Sequence, residues 1–189
     1  LKINGNKKIV DIEKFNFGDD KKLFFYPAPF WSHKNHGYIL NAVRKLKEQN
    51  KNFLIIFCGA NKGNFKYIMK KIDEYKLQNY FKIFNFLTDV ARSSLPLYEA
   101  FYFEKNIFYS KDILDKKLEY LTIPVDLENP DDLAYKMSEY IKNSDKHEYK
   151  SMILKAKDYY LENCNEKIIS QKIFNIFSEY KKLSEKWTH

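Results

Sequence analysis

A chain of 189 residues is the size of a single domain, and 44% hydrophobic and 17% aromatic residues supply a core, which excludes a disordered chain. No run of about 18 apolar residues is present to cross a bilayer, and no charged stretch leading into an apolar segment marks a secretory signal. The formal charge of +8 would attract nucleic acid, anionic lipid and phosphorylated small molecules alike. It rests on lysines scattered along the chain, with Arg44 and Arg92 the sole arginines, so a solvated lysine-rich surface accounts for it.

Two cysteines far apart in sequence, Cys58 and Cys164, argue for a reducing cytoplasm and against a disulfide scaffold. No C-x-x-C or H-x-x-x-H pair marks a metal site. The chain begins at Leu1 rather than at methionine, which reads as a fragment. Residues 1–20 are polar and irregular, a linker leading into a domain over 21–189.

In chain order, Leu23–Tyr26 is a short apolar strand closed by Pro27. Ile39, Leu40, Val43 and Leu46 recur at helical spacing within Asn35–Gln49. Phe53–Cys58 is a continuous apolar run ending at Gly59, the pattern of a strand buried on both faces. Phe65, Ile68, Met69, Ile72 and Tyr75 mark a second amphipathic helix. A third strand is expected over Phe81–Leu87, a short helix over Leu95–Phe103 and a strand over Asn106–Ser110. Asn129-Pro130-Asp131-Asp132 has the form of a helix start: an N-cap, a proline at the first helical position and acids at the positive dipole end. Leu133, Met137, Tyr140 and Ile141 give that helix its apolar stripe. Two more helices follow over Glu148–Glu162 and Asn165–Leu183. Strand–helix alternation followed by terminal helices predicts an α/β fold, a parallel sheet with helices on both faces and extra C-terminal helices. Ligands of such sheets sit outside the carboxyl ends of the strands.

Three segments there could carry chemistry. The turn from Pro27 to His36 joins a strand end to a helix start, where free N–H groups favour an anion. Lys34 is either a point charge for a phosphate oxygen or one more surface lysine, and His33 and His36 are helix-start, packing or catalytic residues. Ser94 is a good N-cap with Pro96 in the first turn, and Glu99 one turn on could accept both hydroxyls of a ribose or simply face solvent. Cys58-Gly59-Ala60-Asn61-Lys62-Gly63 has neither G-x-G-x-x-G spacing nor a G-K-[ST] ending, so neither nucleotide fingerprint applies.

Phe24-Phe-Tyr-Pro-Ala-Pro-Phe-Trp-Ser-His-Lys-Asn-His36 resembles the YPAQFWPHKNH opening of the C-terminal domain of family 4, group 1 glycosyltransferases. Further segments resemble that family in the same order: Leu54–Gly59, Tyr80–Thr88, Ser94-Leu-Pro-Leu-Tyr-Glu-Ala100 (its LPxLEA motif), Asn106–Asp112 and Pro124–Ala134. Together they cover about residues 22 to 180. The resemblance implies one half of a GT-B fold, in which two Rossmann-like domains face each other across a cleft and the C-terminal one holds a nucleotide-diphosphate sugar. It implies a retaining transfer to a glycan or lipid-linked acceptor bound by an absent N-terminal domain, in the cytoplasm, with contact at the inner membrane surface left open. No cofactor or metal is expected. Carried over by position, Lys34 binds the diphosphate, Ser94 and Leu95 offer backbone N–H groups to phosphate, Glu99 binds the ribose, and Phe86, Leu87 and Thr88 line the base.

Two departures are visible: Ala91 stands where the family often has a glutamate, and Pro29 where it often has an arginine. Between Phe81–Leu87 and Ser94 the family also has a helix and a strand of roughly two dozen residues, so a missing segment is expected near 89–90. Two rival readings are a basic nucleic-acid-binding or interaction module with a Rossmann-like core, favoured by charge alone, and a GT-B sugar-nucleotide epimerase. Nucleic acid is the less expected partner, since no RNA-binding signature is present.

Overall fold

The computed structural model describes residues 20–49, 52–84 and 96–187, without the side chains of Pro96, Lys186 and Trp187. The expected missing segment near 89–90 and most of the expected linker lie outside the described residues. The described elements alternate as anticipated: β1 (Lys22–Pro27), α1 (His36–Gln49), β2 (Phe53–Cys58), α2 (Phe65–Glu74), β3 (Phe81–Phe84), α3 (Pro96–Tyr102), β4 (Phe108–Ser110), β5 (Ile123–Val125), α4 (Pro130–Asn143), α5 (His147–Asn163) and α6 (Glu166–Trp187).

β1, β2 and β3 pair in that order, all parallel, with Phe24 opposite Ile55 and Ile55 opposite Phe81. β4 and β5 form a second parallel pair. The single sheet expected from the sequence is therefore described as two sheets, of three and two strands. The chain joining β3 to α3 lies outside the described residues, and the expected strand Phe81–Leu87 is described as far as Phe84.

Side-chain alternation shows the layers, because successive residues of a strand point to opposite faces. Phe108 of β4 packs into the main core with Phe24, Phe53, Phe57, Leu46 and Met137, whereas its neighbours Ile107 and Tyr109 pack into a second cluster around Phe101, Leu121 and Ala156. At β4 one face is thus turned to the core of α1, α2 and α4 and the other to that of α3 and α5, the two-sided cover of a Rossmann-like domain. Every residue of β2 is buried, as its unbroken apolar run requires. Among the described residues, the two sheets and helices α1 to α5 share these two cores.

Local signals explain the helix boundaries. Asn129 caps α4 by accepting from the Asp131 backbone N–H at 3.0 Å, with Pro130 opening the helix. The Lys136 ammonium reaches Asp132 at 2.9 Å one turn away. β5 escaped the sequence reading because Ile123-Pro124-Val125 is three residues long with a proline at its centre, which argues against a strand. Its sole strand partner among the described residues is β4, so the missing N–H of Pro124 costs little.

Candidate functional site at the carboxyl edge

The two sheets share one carboxyl edge. Tyr38, in the first turn of α1 just beyond β1, donates its hydroxyl to the carbonyl of Asp126 at 2.7 Å, and Asp126 directly follows β5. Burial, with Asp132 and Asp126 adding to it, pushes the Tyr38 phenol up to about 12, so the donor stays protonated. The Lys111 ammonium, just past β4, holds the Asp126 carboxylate at 2.7 Å and lowers its pKa.

The turn after β1 is built from the inside out. Phe30 is fully buried and its backbone is bonded on both sides: its N–H donates to Ala60 at 2.9 Å and its carbonyl accepts from Asn64 at 3.0 Å. This bridge zips the turn after β1 to the loop after β2. Gly59 permits the contact, because a Cβ there would stand 2.2 Å from the carbonyl oxygen of Ala28. Ser32–Lys34 then forms one 3-10 turn, closed by Asn35 at φ 54°, a left-handed conformation that asparagine tolerates. The Tyr26 hydroxyl fixes the turn by donating to the Lys34 carbonyl at 2.5 Å. The Lys34 side chain itself is exposed.

His36 is a core residue. It is fully buried, stacked on Phe30 at 4.7 Å between centroids and edge-on to Tyr26 and Phe57 at 5.2 and 5.0 Å. Neither ring nitrogen has a hydrogen-bond partner of normal geometry. Burial lowers its pKa to about 4, the nearby Ala28 backbone opposing part of that shift. A neutral, enclosed imidazole packs the turn from beneath and does not reach a substrate. Burial likewise pushes the Cys58 thiol up to about 11, so it carries no thiolate near neutral pH.

Glu99 lies in the first turn of α3 with its side chain exposed. Its neighbours Leu97 and Tyr98 line a cleft of about 170 Å³ with Ile113 and Leu114, which follow β4. Lys34 and the turn carrying Glu99 therefore both belong to the carboxyl edge. Ser94, Leu95, Phe86, Leu87 and Thr88 lie outside the described residues. An adjoining cleft of about 290 Å³ is lined by Lys111, Asp112, Lys116 and Glu119. Both fall below the roughly 300–1,000 Å³ of a typical small-ligand site.

The sequence reading passed over the loop at Asn61-Lys62-Gly63, since it matches no phosphate fingerprint. The fold brings that loop to the Lys34 turn through the Phe30–Asn61 bridge and tightens it by a Gly63 N–H to Asn61 side-chain bond of 3.0 Å. The signal available was the pair Gly59 and Gly63 bracketing an exposed lysine after a buried strand.

With this geometry established, the comparisons agree on a class. The glycosyltransferase from Rickettsia africae superposes with a TM-score of 0.76 at 18% identity, over 89% of this chain and 50% of that one. Anabaena Alr3699/HepE, solved with UDP and glucose, gives 0.72 at 13% identity over 85% and 49%. TarM gives 0.66 at 15% identity over 84% and 35%. The architecture is that of the Rossmann-like half of a GT-B fold, and the chain spans about half the length of the first two structures. Residues 7–95 match the family model described as glycosyl transferases, group 1. The match spans a little under half of the chain, and it agrees with the fold in making this chain similar to the group 1 glycosyl transferases. No curated protein sequence matches it.

Proposed function

We propose that the chain is the donor-binding domain of a retaining glycosyltransferase, which moves a sugar from a nucleotide-diphosphate sugar to a glycan or lipid-linked acceptor. The observation that carries this reading is the shared carboxyl edge, where Lys34 stands on a latched turn and α3 begins with Glu99 in its first turn. In a transfer of this kind the leaving diphosphate gains charge as the glycosidic bond breaks. A preorganised cation costs no reorganisation at that moment and stabilises the transition state. Lys34 would supply it, with backbone N–H groups at Ser94 and Leu95 on the phosphates, Glu99 on the ribose hydroxyls, and Phe86, Leu87 and Thr88 beside the base. Lys62, brought beside the turn by the Phe30 bridge, would add a second positive charge.

No step of this scheme calls on a metal or cofactor. The acceptor would enter through a second domain, and we place the reaction in the cytoplasm, with peripheral contact to the inner membrane surface. Anabaena Alr3699/HepE was solved with UDP-glucose, which supports testing uridine donors first.

Calorimetric titration with UDP, GDP and their sugars tests the reading. One nucleotide series should bind, and Lys34→Ala should weaken it about tenfold to a hundredfold, the loss expected for a charge-assisted hydrogen bond of about 1.5–3 kcal/mol. Absence of binding to every nucleotide, or an affinity unmoved by Lys34→Ala, would refute it.

A further inference from the structure

The turn after β1 carries an aromatic pair to which the donor scheme gives no task. Along extended backbone, successive side chains point to opposite sides. Phe30 is fully buried, and Trp31, at φ −85° and ψ 150°, is turned outward with 43% of its surface exposed. Its indole lies over the ring of His33, 5.8 Å between centroids and 27° from parallel, and His33 is itself exposed. The main chain under the pair is tied down: the Trp31 N–H donates to Pro29 at 2.8 Å, and its carbonyl accepts from the Lys34 N–H at 3.2 Å. A single hydrogen-bonded turn therefore separates Trp31 from Lys34. Phe30 and His36 in the same segment are fully buried, so the outward indole is a large ring that the core does not use.

The order of groups in a nucleotide-diphosphate sugar says what such a ring would meet. The donor reading gives the base to Phe86, Leu87 and Thr88, the ribose to Glu99, and the diphosphate to Lys34, Ser94 and Leu95. The sugar is the one group left without a partner, and it is bonded directly to the diphosphate. A pyranose ring presents a face of C–H groups with small positive partial charges, which suits the negative π-face of an indole. Ser32 and Asn35, exposed on the same turn, carry donors and acceptors for the sugar hydroxyls.

We infer that Trp31, backed by His33, is the platform on which the pyranose ring of the donor stacks. It is thereby the residue that tells a nucleotide sugar from the free nucleotide. This rests on the donor-binding reading proposed above and assigns the sugar subsite within it. Because the turn is bonded beneath the ring, the platform stands ready before the sugar arrives and loses little entropy on binding.

Fluorescence tests the assignment. Trp31 and Trp187 are the two tryptophans, so Trp187→Phe leaves Trp31 as the sole indole. That variant is titrated with UDP, UDP-glucose, UDP-N-acetylglucosamine, GDP and GDP-mannose. The emission should change with a nucleotide sugar and stay unchanged with the matching free nucleotide. In calorimetry, Trp31→Ala should weaken that nucleotide sugar about threefold to tenfold, the loss of one stacking contact, and leave the free nucleotide within about twofold. Trp31→Tyr, which keeps a flat ring, should retain most of the affinity. An emission change of equal size with the free nucleotide would give the indole to the base and overturn the inference. Equal losses for both ligands in Trp31→Ala, or no loss for either, would overturn it as well. Those outcomes leave the donor reading standing, whereas a chain that binds no nucleotide removes both.

Discussion

The segment from β1 to α2 and the helix α6 share one kind of sequence pattern and meet opposite fates. Leu40, Val43 and Leu46 of α1 recur at helical spacing and are at most 1% exposed, whereas Ile173, Ile176 and Tyr180 of α6 recur at the same spacing and are 49% to 69% exposed. Periodicity states that a face needs covering; the tertiary neighbours decide whether it is covered within the chain. α1 finds α4 and the sheet, while α6 touches the body through a short contact with α5.

That contrast can be broken by experiment. The largest effect is expected at Leu46→Ala, which should cost about 2–5 kcal/mol by leaving a cavity in the main core. Ile176→Ala in the same chain should stay within about 0.5 kcal/mol, as for a surface position. Denaturant midpoints of the two variants measure this, and similar losses would erase the distinction between the regions.

The packed half should also show a pH dependence that α6 cannot. The His36 pKa is lowered from 6.5 to about 4 in the fold, so between those values the unfolded chain binds the proton and the folded one does not. The stability tied to the neutral imidazole is therefore complete above about pH 6.5 and is lost as pH falls toward 4. At 1.36 kcal/mol per unit its full size is on the order of 3 kcal/mol. Urea unfolding from pH 7 to 4 should show that decline, and His36→Leu should flatten it.

A third effect sharpens the picture of the latched loops. Gly59→Ala should cost about 2 kcal/mol, because the added methyl group meets backbone atoms of Ala28 and Pro29 that cannot swing aside. Thermal unfolding of that variant gives the number. A Tm equal to that of the parent would mean the two loops are not held together.

Much of the fold was legible because its signals are local. The unbroken run Phe53–Cys58 marked a buried strand, and Asn129-Pro130 marked the start of α4 through a cap that the structure shows bonded. What escaped depended on partners distant in sequence. Pro124 hid β5, whose pairing with Tyr109 is not written in three residues. The role of His36 stayed open because imidazole suits catalysis and packing alike, and its ring contacts with Phe30 and Phe57 settle it as packing. Of the candidate site, chain order alone assigned Lys34 to the turn after β1 and Glu99 to the start of the helix α3, and both are found on those elements. The clasp between the two loops was invisible, since nothing in Phe30 or Asn61 alone announces the other.

That clasp bears on how a ligand would be received. Because the main chain at Phe30 is tied on both flanks, the Lys34 turn cannot flap separately from the neighbouring loop, and the pair moves as one solid lip. A guest arriving at this lip finds a surface already set, so little ordering entropy remains to be lost there on binding. Any movement of this turn carries the loop after β2 along with it.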